Sequence, residues 1–159
     1  MRVLAVDHGA ARAGCAISDP TGTIARPLGV IEPAEPQAVA RLAVEQEADM
    51  VVVGLPVSLS GVEGPQAADA RAFGEALDEI LDVPVETYDE RLTTRLAERS
   101  ARAGASSLPD ALAAAHLLES YLQARAGASN EVAGREAGPA ATPEPEPGGS
   151  RGEAEEPTE

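Results

Sequence analysis

Acidic residues stand at three points where a chain could do hydrolytic chemistry. Asp7 follows the apolar run at 3–6, the pair Asp89-Glu90 follows the apolar stretch at 83–88, and Asp110 lies beside Pro109 at what reads as the start of a helix. Strand ends and helix starts are the positions that neighbouring strands of one sheet bring to a common edge. A hard divalent cation needs oxygen ligands, and Mg²⁺ takes one or two carboxylates while keeping several waters. Two such ions about 4 Å apart activate a water and stabilise the leaving oxygen of a phosphodiester. Without an ion, grouped carboxylates repel one another. Each acid also has a plain structural explanation: a turn residue ahead of Gly9, a helix cap at 89 or 90, a favourable charge at a helix N-terminus for Asp110. It is their combination that points to a site. Asp89 and Glu90 both stay open, because strand neighbours point to opposite faces and the register is not written locally.

The elements that must position these acids alternate. Residues 3–6 read as a strand apolar on both faces, and 14–18 as its hairpin partner across the loop at 9–13. A third strand is expected at 24–31, where Pro27 marks an edge or bulge. A helix begins at Pro36 and runs to about 47, and 50–55 is the clearest strand. A polar loop at 57–64 precedes an amphipathic helix over 65–81, with Ala68, Phe73, Leu77 and Ile80 near one face. After a strand at 83–88, two helices are expected at 94–103 and 108–124. A meander followed by β-α-β crossovers predicts an α/β fold, a mixed sheet flanked by helices.

Composition narrows the classes. Of 159 residues, 27 are acidic against 12 basic, and every basic residue is Arg; the net charge is −15. Bulk charge therefore cannot hold a polyanion, and any phosphate must be met locally. One Cys excludes an internal disulfide framework and a cysteine zinc site. No apolar run approaches the roughly 20 residues of a membrane span, and the N-terminus lacks a signal-peptide pattern, so a cytoplasmic protein is expected. Residues 1–125 are expected to form the domain. Residues 126–159, rich in Pro, Gly and Glu with Val132 as the one large apolar side chain, are expected to be a disordered acidic tail.

Four motifs resemble the YqgF (RuvX) family. Asp7-His8-Gly9-Ala10-Ala11-Arg12-Ala13-Gly14 is similar to its opening D-x-G-x-x-R-x-G. Val53-Gly54-Leu55-Pro56 with Gly61-Val62-Glu63-Gly64 is similar to its V-G-L-P and G-x-E segment. Asp89-Glu90-Arg91-Leu92-Thr93-Thr94 matches D-E-R-L-[ST]-T, and the helix opening at Asp110-Ala111-Leu112-Ala113-Ala114 resembles the closing D-x-x-A-A. Together they span essentially residues 2–124. The resemblance implies an RNase H-like fold with a mixed five-stranded sheet. It implies a nuclease processing the 5′ end of pre-16S rRNA with Mg²⁺ or Mn²⁺, a structured RNA and a pre-ribosomal particle being its partners. A DNA junction is the alternative substrate, as in the wider RuvC-like group. Carried over by position, Asp7, Glu90 and Asp110 are the catalytic, metal-binding acids, with Asp89 competing for the place of Glu90 and Glu63 as an accessory acid. Three departures stand out: His8 replaces the commoner Tyr, Ser58-Leu59-Ser60 lacks the usual Asn and Asp, and no Lys precedes Asp110.

A nuclease in an acidic domain needs a cationic track. Arg95, Arg99 and Arg102 fall at helical spacing, with Arg91 before them and Arg12 in the first loop; their guanidinium forks suit phosphate oxygens. A solvated helix face with a Glu98–Arg102 pair is the ordinary alternative. His8 reads as a spacer or packing residue, with a phosphate contact or a proton carrier beside Asp7 as the alternative; His116 reads as a packing residue, Cys15 as a small buried hydrophobe, and Ala113 and Ala114 as the residues that let the last helix approach the sheet. Two other functions fit parts of the pattern: a nucleotide-binding module, since the opening motif also resembles the phosphate loop of actin-like and hexokinase-like ATPases, and a non-catalytic ribosome-assembly factor that binds RNA.

Overall fold

A computed structural model describes residues 1–56, 60–89, 91 and 109–136, with side chains of the last segment described over 110–130. β-Branched and aliphatic runs form the centre of one sheet. Strands β1 (Val3–His8), β2 (Ala13–Ser18) and β3 (Ala25–Ile31) make an antiparallel meander. After helix α1 (Pro36–Glu45), strand β4 (Met50–Leu55) pairs parallel to β1; after helix α2 (Pro65–Ile80), β5 (Val85–Asp89) pairs parallel to β4. The sheet order is β3-β2-β1-β4-β5. Helix α3 (Pro109–Glu136) closes the described chain. This is the mixed five-stranded α/β sheet with flanking helices that the sequence predicts.

The faces follow from strand alternation. Leu4, Val6, Cys15, Val51 and Val53 pack under α1 and α2 with Val39, Phe73 and Leu77. Val3, Ala5, Ala16, Met50 and Val52 pack against α3 through Ala114, Leu117, Leu118 and Tyr121. With both faces covered, β1 and β4 are fully buried over Val3 to Val6 and Met50 to Val53, which is why these strands read as unbroken apolar runs. Each buried Val or Leu stabilises by about 1.5–3 kcal/mol. Both α1 and α2 open with Pro at the first turn, where a missing N–H costs nothing.

Several local expectations shift. β1 runs on through Asp7 and His8, because Gly14 and Ala13 pair with them across the hairpin; Asp7 lies within the strand end rather than after it. A register shift falls between Cys15 and Ala16, where Ala16 faces Pro27, the bulge that Pro27 implies. On α2 the buried stripe is Ala67, Ala70, Phe73, Gly74 and Leu77, while Ala68 and Ile80 are exposed. On α3, Ala111, Ala114 and Ala115 meet the sheet and Ala113 faces solvent. The helix continues past 124 to Glu136: no Pro interrupts 125–136, and Ala, Arg and Glu make up more than half of it despite Gly127 and Gly134. The boundary expected at 125/126 thus falls inside α3. Residues 137–159, and the helix expected at 94–103, lie outside the described residues.

Candidate functional site

The carboxyl ends of β1, β4 and β5 open at one end of the sheet, where the N-termini of α2 and α3 also arrive. In open α/β sheets this is the edge that binds ligands. Asp7 continues the alternation of Val3 and Ala5 and so belongs to the face covered by α3. Its cross-strand partner is Gly14. The backbone of Asp110 packs directly on Gly14: a Cβ there would overlap the Asp110 carbonyl and come within 3.0 Å of the Ala111 nitrogen. A residue without a side chain is thus what lets α3 begin opposite Asp7.

Helix α3 is held in that position by polar contacts midway along it. Tyr121 donates its hydroxyl hydrogen to Glu86 Oε2 at 2.8 Å, the Tyr88 hydroxyl lies 3.0 Å from Ser120 Oγ, and the two tyrosine rings meet edge to face at 5.5 Å. Burial, with Glu86 adding to it, pushes the Tyr121 phenol upward, so it remains a donor at neutral pH.

Each acid at this end has an identifiable setting. Asp110 Oδ2 pairs with Arg12 Nε at 2.5 Å, the two side chains being 32% and 53% exposed. Asp89 takes Arg91, which donates from its backbone N–H at 2.9 Å and from its guanidinium at 2.5–3.1 Å; those hydrogen bonds hold the Asp89 carboxyl below its usual range. Val85 packs on the α1/α2 side and Tyr88 on the α3 side, so alternation puts Asp89 on the face opposite Asp7. Glu63, on the loop before α2, is engaged by Arg71. Glu90 and the stripe Arg95, Arg99 and Arg102 lie outside the described residues.

Among the described residues no set of three His, Cys, Asp or Glu side chains converges as a metal cluster. Asp7 and Asp110 nevertheless supply a donor set of carboxylate oxygens alone, with the one cysteine buried on the other face. That chemistry fits a hard divalent cation that completes its sphere with water, and not a soft one. Cys15 offers no ligand: burial, reinforced by the charge of Asp7, pushes its thiol up to about 12.

One feature of the edge escapes sequence reasoning. His8 stacks on Phe73 of α2, ring centroids 4.4 Å apart and tilted 34°. Burial pushes its imidazole pKa down against the opposing pull of Asp69 and Asp7. Beside it a recess of about 200 Å³ is lined by Asp7, His8, Pro56, Gln66 and Asp69, among others. Gln66 and Asp69 are three apart on the first turns of α2, a helical-face spacing visible in the sequence, but only the crossing of α2 over β1 gives it meaning. His116 lies half-buried on α3, its Nδ1 3.3 Å from Glu119.

The family model described as "RuvX: Holliday junction resolvase" matches residues 1–124. A protein of Thermobifida fusca is 53% identical over 106 residues, covering 65% of this chain and 67% of that one. One from Chloroflexus aggregans is 41% identical over 133 residues, covering 77% and 94%. Both carry the name "putative pre-16S rRNA nuclease". In fold, Thermus thermophilus RuvC, solved with a Holliday junction substrate, matches with a TM-score of 0.53 at 21% identity, covering 80% of this chain and 96% of that one. The chain belongs to the RuvX family and is by class a nuclease, a hydrolase of phosphodiester bonds.

Proposed function

We propose that the protein is a cation-dependent nuclease that matures the 5′ end of pre-16S rRNA in the cytoplasm, on RNA still held in a pre-ribosomal particle. The observation that carries this reading is the packing of the Asp110 backbone on Gly14, the strand partner of Asp7, which gathers two hard-oxygen donors at one sheet edge. Glu90 is assigned as the third carboxylate, because strand alternation puts Asp89 on the face opposite Asp7. Mg²⁺ or Mn²⁺, held by Asp7, Glu90 and Asp110, would supply a Lewis acid for the phosphoryl oxygens and a more acidic water for the attack.

The chain's own residues do the rest. Asp7 and Asp110 set where the scissile phosphate stops. Arg12, on the exposed side of Asp110, is placed to take a non-bridging oxygen, because a guanidinium can hold a carboxylate and a phosphate through different N–H groups. Arg91, Arg95, Arg99 and Arg102 are assigned to the backbone track that an otherwise acidic chain needs. Glu63 serves the loop through Arg71 rather than the reaction.

The family description names a junction resolvase, so a four-way DNA junction is the second substrate to test. Purified protein is incubated with precursor 16S RNA and with the junction, in Mg²⁺, in Mn²⁺ and in chelator. Cleavage of the RNA, abolished by chelator and reduced by roughly two to three orders of magnitude in Asp7→Asn, is expected. Cleavage that survives chelator or Asp7→Asn overturns the reading, and cutting confined to the junction moves the substrate to DNA.

A further inference from the structure

The recess beside His8 shares Asp7 with the Asp7–Asp110 pair, and its remaining lining has no role in the chemistry described above. Asp7 borders both, so a strand whose phosphate stops at Asp7 has the recess within reach of a flanking nucleotide. Its volume, about 200 Å³, lies below the roughly 300–1,000 Å³ of a drug-sized ligand site and suits one planar group. Among the described residues no arginine lines it, so the described lining has no guanidinium to hold a phosphate. Away from Asp7, its polar wall on α2 is a side-chain amide and a carboxylate, Gln66 and Asp69. Both Gln66 and Asp69 are exposed, and Asp69 bears on His8 through its charge. Its floor carries an imidazole fixed against Phe73, and Pro56 closes the side.

We propose that this recess is a base-reading subsite for guanine, taking the unstacked base next to the cleaved phosphate. The match is one of donors and acceptors. The Watson–Crick edge of guanine presents an acceptor at O6 and donors at N1 and N2. A carboxylate at 69 accepts from both N1–H and N2–H, and an amide at 66 donates to O6. Adenine reverses the pattern with a donor at N6 and an acceptor at N1, and a carboxylate facing that N1 is left with two acceptors opposed. An aromatic surface beside such a pair is the usual platform for a splayed base in single-stranded RNA. The inference rests on the nuclease reading and adds to it the sequence that the site prefers to cut.

The test uses the full chain with a 5′-labelled single-stranded RNA of mixed sequence in Mn²⁺, and cut positions are mapped. Cuts are expected to concentrate beside guanines. Replacing the guanine at a cut site by inosine, which lacks only the N2 amine, is expected to lower kcat/KM about tenfold, within the range of one paired base contact. In Asp69→Ala the inosine penalty is expected to vanish and the cuts to spread over all four bases. Asp69→Asn, with one acceptor left, is expected to fall between. Because Asp69 is exposed on its helix, an unchanged Tm accompanies both variants. Guanine-independent cutting by the unaltered protein, or an inosine penalty retained in Asp69→Ala, overturns the subsite while leaving the nuclease standing. Weakened Mn²⁺ binding in Asp69→Ala, with base choice intact, overturns it in favour of a cation pocket. Failure to cut RNA or junction in either metal removes the nuclease reading itself.

Discussion

The two ends of the sheet treat their acids differently. At the end where β2 turns into β3, Asp19 is half-buried and bound by main chain: the N–H groups of Thr23 and Ile24 donate to its carboxylate at 2.7 and 2.8 Å, with Thr21 adding its N–H and hydroxyl. Asp49, also at this end, accepts the N–H of Arg2 at 2.6 Å. At the other end, Asp110, Asp89 and Glu63 are each met by an arginine side chain. Backbone donors are fixed by the fold and cannot be exchanged; a half-exposed guanidinium on a flexible stem can. The acids at the turn end are therefore held by the fold itself, and those at the other end by partners that can be exchanged.

The sharpest way to break this contrast is to disturb the position of Asp110 without touching a carboxylate. In Gly14→Ala the new methyl would overlap the Asp110 carbonyl, so the start of α3 must move away from Asp7. Displacement of about 1 Å at a reacting centre can cost about a hundredfold in rate, and a loss of at least that size in cleavage is expected, with a lowered Tm. Gly74→Ala is the control. Its methyl would meet Thr87 Cγ2 and Val53 Cγ2 at 3.7 and 3.8 Å, ordinary contacts, and replacing a helical glycine should stabilise by about 0.4–1 kcal/mol. Equal cleavage losses in the two variants would mean that general packing, and not the Gly14 seat, governs the site.

What the sequence could and could not announce follows the same division between local and non-local forces. Residues 3–6 and 50–55 announced central strands because both faces of those strands are buried, and Pro36 and Pro65 announced helix starts by their fixed φ. The acids were legible as strand-end and helix-start residues. Which of positions 89 and 90 shares the face of Asp7 was not, because β5 takes its register from pairing with β4, Leu55 opposite Asp89. The exposure of Ala113 and burial of Ala115 were also hidden, since five small or apolar residues in a row give a helix no unique inner face until a sheet is supplied. The recess at His8 was the least legible feature. It is made by residues 7–10, 56, 66 and 69, and no single periodicity links the three segments.

A second comparison weighs the turn end on its own terms. Backbone and hydroxyl donors hold the Asp19 carboxyl well below its ordinary value. A group depressed in the folded state adds stability above its unfolded pKa, about 3.9, and that stability is lost as pH falls below the ordinary carboxylate range. Asp19→Ala should therefore lower Tm by a few degrees at pH 7, with the gap to the unaltered protein closing as the scan is taken toward pH 2. Cleavage at temperatures well below Tm should be unchanged. A cleavage loss approaching that of Gly14→Ala would erase the distinction between the ends.

The smallest effect tests exchange itself. Arg12 and Asp110 pair at 2.5 Å with both side chains partly exposed, and such a pair contributes less than about 1 kcal/mol, or at most about fivefold in an equilibrium. If Arg12 occupies an oxygen that a cation would use, Arg12→Ala should tighten Mn²⁺ binding to the RNA-free protein by up to about fivefold, read by calorimetric titration, with Tm almost unmoved. The same substitution removes a phosphate contact, so RNA binding should weaken and the slope of log K against log salt should fall by about one. Opposite signs for metal and RNA are what an exchangeable partner produces. Should both affinities weaken together, the guanidinium is holding Asp110 in place for the cation, and this pair is as fixed a device as the main-chain donors around Asp19.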